Sequence, residues 1–234
     1  MGFYDFMGEI PPYSEEPAAI KRLNERHKML IKPLVAELEG KRVLDLAAHD
    51  GRWAYAFAAA GAREVVGIEG RQELIDRFAR FPRAHLRDKV VLKQGDIFDG
   101  MAAEHAAGER YDVVGVLGIL YHVMDHFRLF QQVRRLQPKL VIVDSEFAVR
   151  PGPVIMLVRE RTDNPLNAIP QIEGQETALI GIPSFPAMEA MADVLGYSCE
   201  WLNWETVPEA RRGPIGDYYR PEGKRRATCL LRPR

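Results

Sequence analysis

The segment Gly118–His126 groups two histidines and an aspartate directly after an apolar run. Its sequence, GILYHVMDH, follows YDVVGVL at residues 111–117, and such a branched apolar run is typical of a central strand. An imidazole with a pKa near ~6.5 can accept a proton at neutral pH. We therefore interpret His122 as a candidate general base for a hydroxyl. The alternative for His122 is a ring that only caps the following helix, and the spacing favours a helix-surface position for His126.

A second candidate pair follows the next predicted strand, at residues 139–143. Asp144 and Glu146 flank Ser145, and alternate residues of an extended chain point to the same side. We expect both carboxylates to act in catalysis with His122, by orienting a hydroxyl or assisting the base. Oxygen ligands of this kind also leave open a Mg²⁺ ion. Structural hydrogen bonding is the alternative, so the metal requirement is undetermined at this stage.

Positioning these side chains requires a frame of strands, which begins in segment 41–71. Residues 42–46, 52–60 and 64–68 have the patterns of a strand, a helix and a second strand. In doubly wound sheets, ligands bind outside the carboxyl ends of the strands, and an acidic residue about 20 positions beyond the first turn binds ribose hydroxyls. The spacing from Gly51 to Glu69 fits this arrangement.

The remaining patterns predict one α/β domain with a doubly wound, seven-stranded, mostly parallel sheet. A helical segment broken at Pro33 is expected to form a lid, and a hairpin-like insertion is expected after the fifth strand. The predicted parts are an N-terminal helical segment 1–39, a cofactor-binding core 40–146, an acceptor-side insertion 147–184, and a C-terminal helix with antiparallel strands 185–234.

The motif VLDLAAHDG at residues 43–51 resembles the VLDLGxGxG pattern of class I S-adenosylmethionine-dependent methyltransferases. Asp45 and Gly51 match the pattern, whereas Ala47 and His49 stand where its first two glycines usually lie. The resemblance implies S-adenosylmethionine as the cofactor, with Glu69 at the ribose. It also implies an acidic residue at the adenine amine and an apolar residue against the ring, after the third strand. The cofactor-binding positions implied are Asp45, Ala47, Asp50, Gly51, Glu69, Asp96, Ile97 and Leu117.

The run LGILYHV at residues 117–123 resembles the segment after the fourth strand of many such methyltransferases, including the branch that modifies the wobble uridine of transfer RNA. The resemblance implies methyl transfer, and we expect O-methylation of a small polar acceptor, with a sugar or glycoside first. The whole chain is faintly similar to actinobacterial enzymes that methylate mannose-containing polysaccharides. Two alternatives stay open: a transfer RNA modifying enzyme, and a catalytically inactive cofactor-binding module, which the altered glycines suggest.

The amino-acid composition limits the classes of binding partner that we expect. The 32 basic and 33 acidic residues give a formal net charge of -1, which disfavours DNA and transfer RNA because tight phosphate binding needs a basic surface. Cys199 and Cys229 have no metal-ligand spacing and read as buried thiols of a reducing cytoplasm. No stretch approaches ~18 apolar residues. We therefore expect a cytoplasmic protein without a membrane partner, as a monomer or homodimer.

Overall fold

The structure, a computed structural model, describes residues 2–164 and 166–234. Over these ranges it contains a seven-stranded sheet in the order β3-β2-β1-β4-β5-β9-β8 and a two-stranded sheet of β6 and β7. The strands are β1 Arg42–Leu46, β2 Glu64–Glu69, β3 Val90–Gln94, β4 Val113–Leu117, β5 Leu140–Ala148, β6 Ile155–Arg161, β7 Thr177–Pro183, β8 Tyr197–Trp201 and β9 Lys224–Pro233. Strands β1–β5 are parallel, and β9 runs antiparallel to β5 and β8. The predicted fold class is confirmed.

Helices cover both faces of the large sheet. They are α1 Pro17–Leu30, α2 Val35–Leu38, α3 Arg52–Ala59, α4 Gln72–Ile75, α5 Ala84–Arg87, α6 Ile97–Ala106, α7 His126–Arg135 and α8 Phe185–Val194. One apolar cluster contains side chains of α1 and α3, and the other contains side chains of α6, α7 and α8. Burial on both faces explains the unbroken apolar runs of the parallel strands. Within the described residues, none of the helices is long and apolar enough to cross a bilayer.

Two element boundaries differ from the sequence patterns. Strand β5 continues to Ala148, past the predicted end at Val143, because β9 pairs with it from Val141 to Ala148. Asp144 and Glu146 are therefore inside the sheet. The sequence pattern also predicts a helix over 72–81, and the structure has a short α4 there followed by a 3-10 segment, Asp76–Arg80.

The N-terminal segment and the insertion both pack against the core. Tyr4 and Tyr13 are buried, and their hydroxyls donate to Arg52 O at 2.9 Å and to Asp50 Oδ2 at 2.5 Å. The predicted insertion forms a hairpin of β6 and β7. Its strand β7 approaches the segment after β4, because Gly181 N donates to Val123 O at 3.0 Å. The hairpin thus reaches the segment that carries His122.

Candidate active site

A cavity of about 250 Å³ lies at the carboxyl ends of the central strands. Strand β1 has β2 on one side and β4 on the other, and a doubly wound sheet binds ligands at such a switch point. The turn after β1, the ends of β2 and β3, the segment after β4 and the hairpin loop all contribute to its wall. Among the lining residues are Ala47, His49, Glu69, Asp96, Ile97, Leu117, Tyr121 and His122, joined by Arg26 and Arg226 from the two ends of the chain.

The turn after β1 has a left-handed backbone at three positions. The φ angle is 54° at Ala47, 54° at His49 and 76° at Gly51. Glycine adopts positive φ readily, whereas other residues do so at a cost of roughly 1–2 kcal/mol. This conformation explains why glycines suit the pattern that the segment resembles. The turn keeps its shape here with two side chains in place, and His49 N donates to Glu69 Oε2 at 2.8 Å.

Glu69 presents both carboxylate oxygens at the end of β2. Oε2 accepts the His49 amide, and Oε1 accepts the Arg71 amide at 2.9 Å. Each oxygen keeps a further lone pair, and the side chain lines the cavity. The arrangement can therefore accept two hydroxyl donors from one ligand.

Asp96 lies at the start of α6, beyond β3. Its Oδ1 caps the helix by accepting from Phe98 N at 2.8 Å and Asp99 N at 3.3 Å. Among the described residues, Oδ2 has no hydrogen-bond donor, so it can accept an amine from a ligand. Ile97 and Leu117 add apolar side chains to the same wall, which suits a planar ring.

Asp45 does not line the cavity, which corrects its expected contact with the cofactor. Its side chain is buried beside α3, where the Ala54 backbone donates to it. Burial raises the pKa of Asp45 to about 8, and the nearby Glu69 carboxylate adds to the increase. Its Oδ2 has no partner among the described residues. Asp45 therefore packs behind the residues that line the cavity and does not contact the cavity itself.

Asp50 and Gly51 are also absent from the cavity wall. Burial alone would raise the pKa of Asp50, but the Arg52 guanidinium and hydrogen bonds from neighbouring groups hold it below its usual range. Arg52 Nε donates to Asp50 Oδ1 at 2.7 Å. A Cβ at Gly51 would lie 2.6 Å from the Phe78 ring. Both residues stabilise the turn, whereas Ala47 and His49 line the cavity.

His122 lines the cavity in the short 3-10 segment Leu120–His122. Its Nδ1 lies 2.8 Å from Glu160 Oε1 and 3.0 Å from Oε2, and Nε2 has no protein partner among the described residues. The capping alternative is not observed, because Asp125 accepts from Arg128 N at the start of α7. The ring is held by one nitrogen and is open at the other.

His126 was expected on the helix surface, and this expectation is wrong. The residue is 1% exposed, and its Nε2 lies 3.0 Å from Leu120 O and 2.9 Å from Gly181 O. Burial lowers the pKa of His126, although the two carbonyls oppose the decrease. A neutral imidazole therefore joins the segment after β4 to the hairpin.

Asp144 does not face the cavity as predicted. Oδ1 accepts from Arg26 Nη2 and Arg226 Nη1, both at 2.7 Å, and Oδ2 accepts from Tyr218 and Thr228. Burial would raise the pKa of Asp144, but the two guanidinium groups lower it to about 2. This carboxylate stabilises a buried ion cluster, so we no longer assign it to catalysis.

Glu146 also forms ion pairs, one with Lys224 and one with Arg220 at 3.4 Å. Neither Glu146 nor Asp144 lines the cavity, and their cationic partners take the positions that a metal would need. Across residues 2–164 and 166–234, no three His, Cys, Asp or Glu side chains are grouped to hold a metal ion. The donor set does not fit the Mg²⁺ that the sequence left open.

Sequence patterns missed the cationic part of the wall, here called the arginine corner: Arg26, Tyr121 and Arg226. Arg226 Nη2 donates to the Tyr121 hydroxyl at 2.8 Å, and Arg26 stacks on Trp53 with 4.9 Å from Cζ to the ring centroid. No local motif marks either arginine. Only the fold brings α1 and β9 to Asp144 in β5.

Residues 20–174, more than half of the chain, match the family described as a methyltransferase domain. The chain belongs to this family and is an S-adenosylmethionine-dependent methyltransferase of the class I fold.

Solved structures show the same fold at low sequence identity. The N-terminal domain of EvdMO1, in the presence of SAH and D-fucose, superposes with a TM-score of 0.65 at 17% identity, over 92% of this chain and 83% of that one. An S-adenosylmethionine-dependent methyltransferase from Listeria monocytogenes gives 0.64 at 17% identity, over 92% and 99%. SAH is bound in EvdMO1.

A curated relative is similar over part of its length. The tRNA U34 carboxymethyltransferase of Campylobacter hominis is 28% identical over 107 residues, which is 45% of this chain and 35% of that protein. The chain thus matches about a third of this relative.

Proposed function

We propose that the whole chain acts as one methyltransferase domain that transfers a methyl group to a hydroxyl. In this proposal the turn at Ala47 and His49 faces the methionine part of S-adenosylmethionine, and Glu69 binds both ribose hydroxyls. Asp96 Oδ2 accepts the adenine amine, and Ile97 and Leu117 contact the ring. The free oxygens of Glu69 and Asp96 on one wall support this orientation.

The observation that carries the proposal is the orientation of His122. With Nδ1 held by Glu160, the Nε2 atom is left to accept a proton. The acceptor oxygen forms a bond to the methyl carbon while the bond from that carbon to sulfur breaks. The hydroxyl proton passes to His122 Nε2, and S-adenosylhomocysteine leaves. General base catalysis of this kind contributes roughly 10²–10⁴-fold in rate.

A sugar or glycoside is our first choice of acceptor. The cavity wall beside His122 carries many hydrogen-bonding groups, among them Tyr121, Asn167 and Gln171, and a polyhydroxylated molecule can pair with them. EvdMO1, which shares the fold, was crystallised with D-fucose. These two observations favour a sugar over an apolar acceptor.

Methyl transfer from labelled S-adenosylmethionine to a panel of sugars and glycosides tests the proposal. We expect His122→Asn to bind S-adenosylhomocysteine with unchanged affinity and to lose at least ~10²-fold in turnover. His105→Asn, a change at an exposed position of α6, is the matched control and should keep full turnover. Turnover near the wild-type value in His122→Asn would remove His122 from the role of base.

Transfer of a carboxymethyl group to transfer RNA is the second candidate, because of the relative from Campylobacter hominis. A carboxymethyl group carries a carboxylate, which a pocket must neutralise. The arginine corner supplies two guanidinium groups that pair with Asp144, and Arg226 also pairs with Asp217. With Arg22, the second partner of Asp217, the cluster has three guanidinium groups against two carboxylates. The Tyr121 hydroxyl accepts from Arg226 and keeps its own proton to donate. Adding transfer RNA and a carboxymethyl sulfonium donor to the panel separates the candidates.

A further inference from the structure

Glu160 joins two parts of the site that are distant in sequence. It lies on β6, in the inserted hairpin, and its carboxylate meets His122 Nδ1 at 2.8 and 3.0 Å. The same carboxylate accepts the Ala168 amide, with Oε1 2.6 Å from the nitrogen. The His122 and Glu160 side chains are only 10% and 12% exposed. One anion therefore binds both the histidine of the core and the hairpin loop.

The hairpin loop around Ala168 forms part of the cavity wall. At its other end, Arg71 Nη2 donates to the carbonyls of Asn164 and Asn167, at 3.4 and 3.2 Å. Ile169 fits against Gly70, where a Cβ would lie 3.1 Å from its Cδ1. The loop thus extends from the end of β2, beside Glu69, to His122.

We propose that Glu160 is a positioning residue, which fixes the His122 ring with Nε2 towards the acceptor and holds the hairpin loop beside it. This inference rests on the proposed function of His122. A carboxylate at Nδ1 selects the tautomer with the proton on that atom. It also stabilises the imidazolium that forms when Nε2 takes a proton, because an opposite charge within ~4–6 Å favours the charged form.

Nitrogen-15 NMR of the histidine rings tests whether Glu160 fixes the His122 ring, and it needs no methyl acceptor. In protein loaded with S-adenosylhomocysteine, we expect His122 to be protonated on Nδ1 and not on Nε2 when neutral. Glu160→Gln removes the charge but keeps a hydrogen-bond acceptor, so the preference for the Nδ1–H tautomer should weaken. Glu160→Ala removes the acceptor as well, so this preference should be lost. Glu176→Gln, a change at an exposed position at the end of the same loop, should leave the tautomer of His122 unchanged.

Hydrogen exchange at the Ala168 amide tests whether Glu160 holds the hairpin loop. Glu160→Ala removes the acceptor of this amide, and its exchange should accelerate by at least ~10-fold. Glu176→Ala should not change it. Loss of S-adenosylhomocysteine binding in Glu160→Gln would show a merely structural role and overturn the proposal.

An Nε2–H tautomer in the wild type, an unchanged tautomer in Glu160→Ala or unchanged exchange at Ala168 would also overturn it. None of these results depends on turnover. The turnover of His122→Asn therefore judges the proposed function separately from Glu160.

Discussion

Two regions of the same sheet carry carboxylates in opposite states. At the ends of β2 and β3, Glu69 and Asp96 accept backbone amides and keep oxygens open to the cavity. Within β5, Asp144 and Glu146 are bound by arginine and lysine side chains and do not reach the cavity. An acidic residue near a strand end is thus available to a ligand only when no cation from another segment reaches it first.

The largest effect should follow removal of the Asp144 charge. Asp144→Asn leaves Arg26 and Arg226 without their shared anion, and breaking a buried pair costs about 3–5 kcal/mol. The free energy of unfolding in urea measures this loss. Asp163→Asn is the control, because its pair with Arg161 is exposed, and should leave stability unchanged.

The pH dependence of unfolding sharpens this prediction. Because the folded-state pKa of Asp144 is lowered to about 2, its stabilising contribution is complete above ~pH 4 and declines as the pH falls towards ~2. Asp144→Asn should lack this decline. A variant as stable as the wild type would mean that the arginine corner needs no anion.

An intermediate effect is expected at the end of β2, where the affinity for the cofactor product should change. Glu69→Gln replaces one acceptor oxygen by an amide donor, which leaves a hydroxyl or a backbone amide unpaired. Binding of S-adenosylhomocysteine should weaken by about 1–3 kcal/mol, as measured by calorimetry. Glu73→Gln, exposed in α4, should bind normally. Equal affinity in both variants would contradict the role of Glu69.

The smallest effect concerns Asp45, whose pKa is shifted in the opposite direction from that of Asp144. A raised pKa means that ionisation costs stability progressively as the pH rises from ~4 to about 8. Asp45→Asn removes this cost, so its stability relative to the wild type should improve progressively between pH 5 and pH 8. Urea unfolding at both pH values measures it. Parallel pH slopes in Asp45→Asn, wild type and the exposed control Asp88→Asn would contradict the shift.

The same contrast explains what the sequence could predict. Partners of Glu69 and Asp96 lie in neighbouring turns, as with Phe98, two residues from Asp96. Strand and turn patterns therefore indicated their place. The partners of Asp144 are 118, 82 and 74 positions away, at Arg26, Arg226 and Tyr218. Local sequence patterns do not predict contacts between residues so far apart. The extension of β5 was missed for the same reason, because it depends on pairing with the distant strand β9.

The surroundings of His122 were only partly predictable from the sequence. The apolar strand before it placed it correctly at the cavity, but Glu160, 38 positions away on the hairpin, carries no motif. The hairpin itself was predicted from two strand-like segments after the fifth strand, while the register that brings Glu160 to the ring was not. Local periodicity thus predicts the frame, and side chains contributed by insertions require the fold.

The left-handed turn at Ala47 and His49 has a consequence for how the cofactor is received. A glycine-rich turn samples many conformations when empty and loses that freedom when a ligand binds. Here side chains restrict the unliganded turn, and the His49 amide is already bound to Glu69. Less conformational entropy remains to be lost on binding. In the function proposed above, the cofactor would therefore bind to a stiff surface, without glycine at either position.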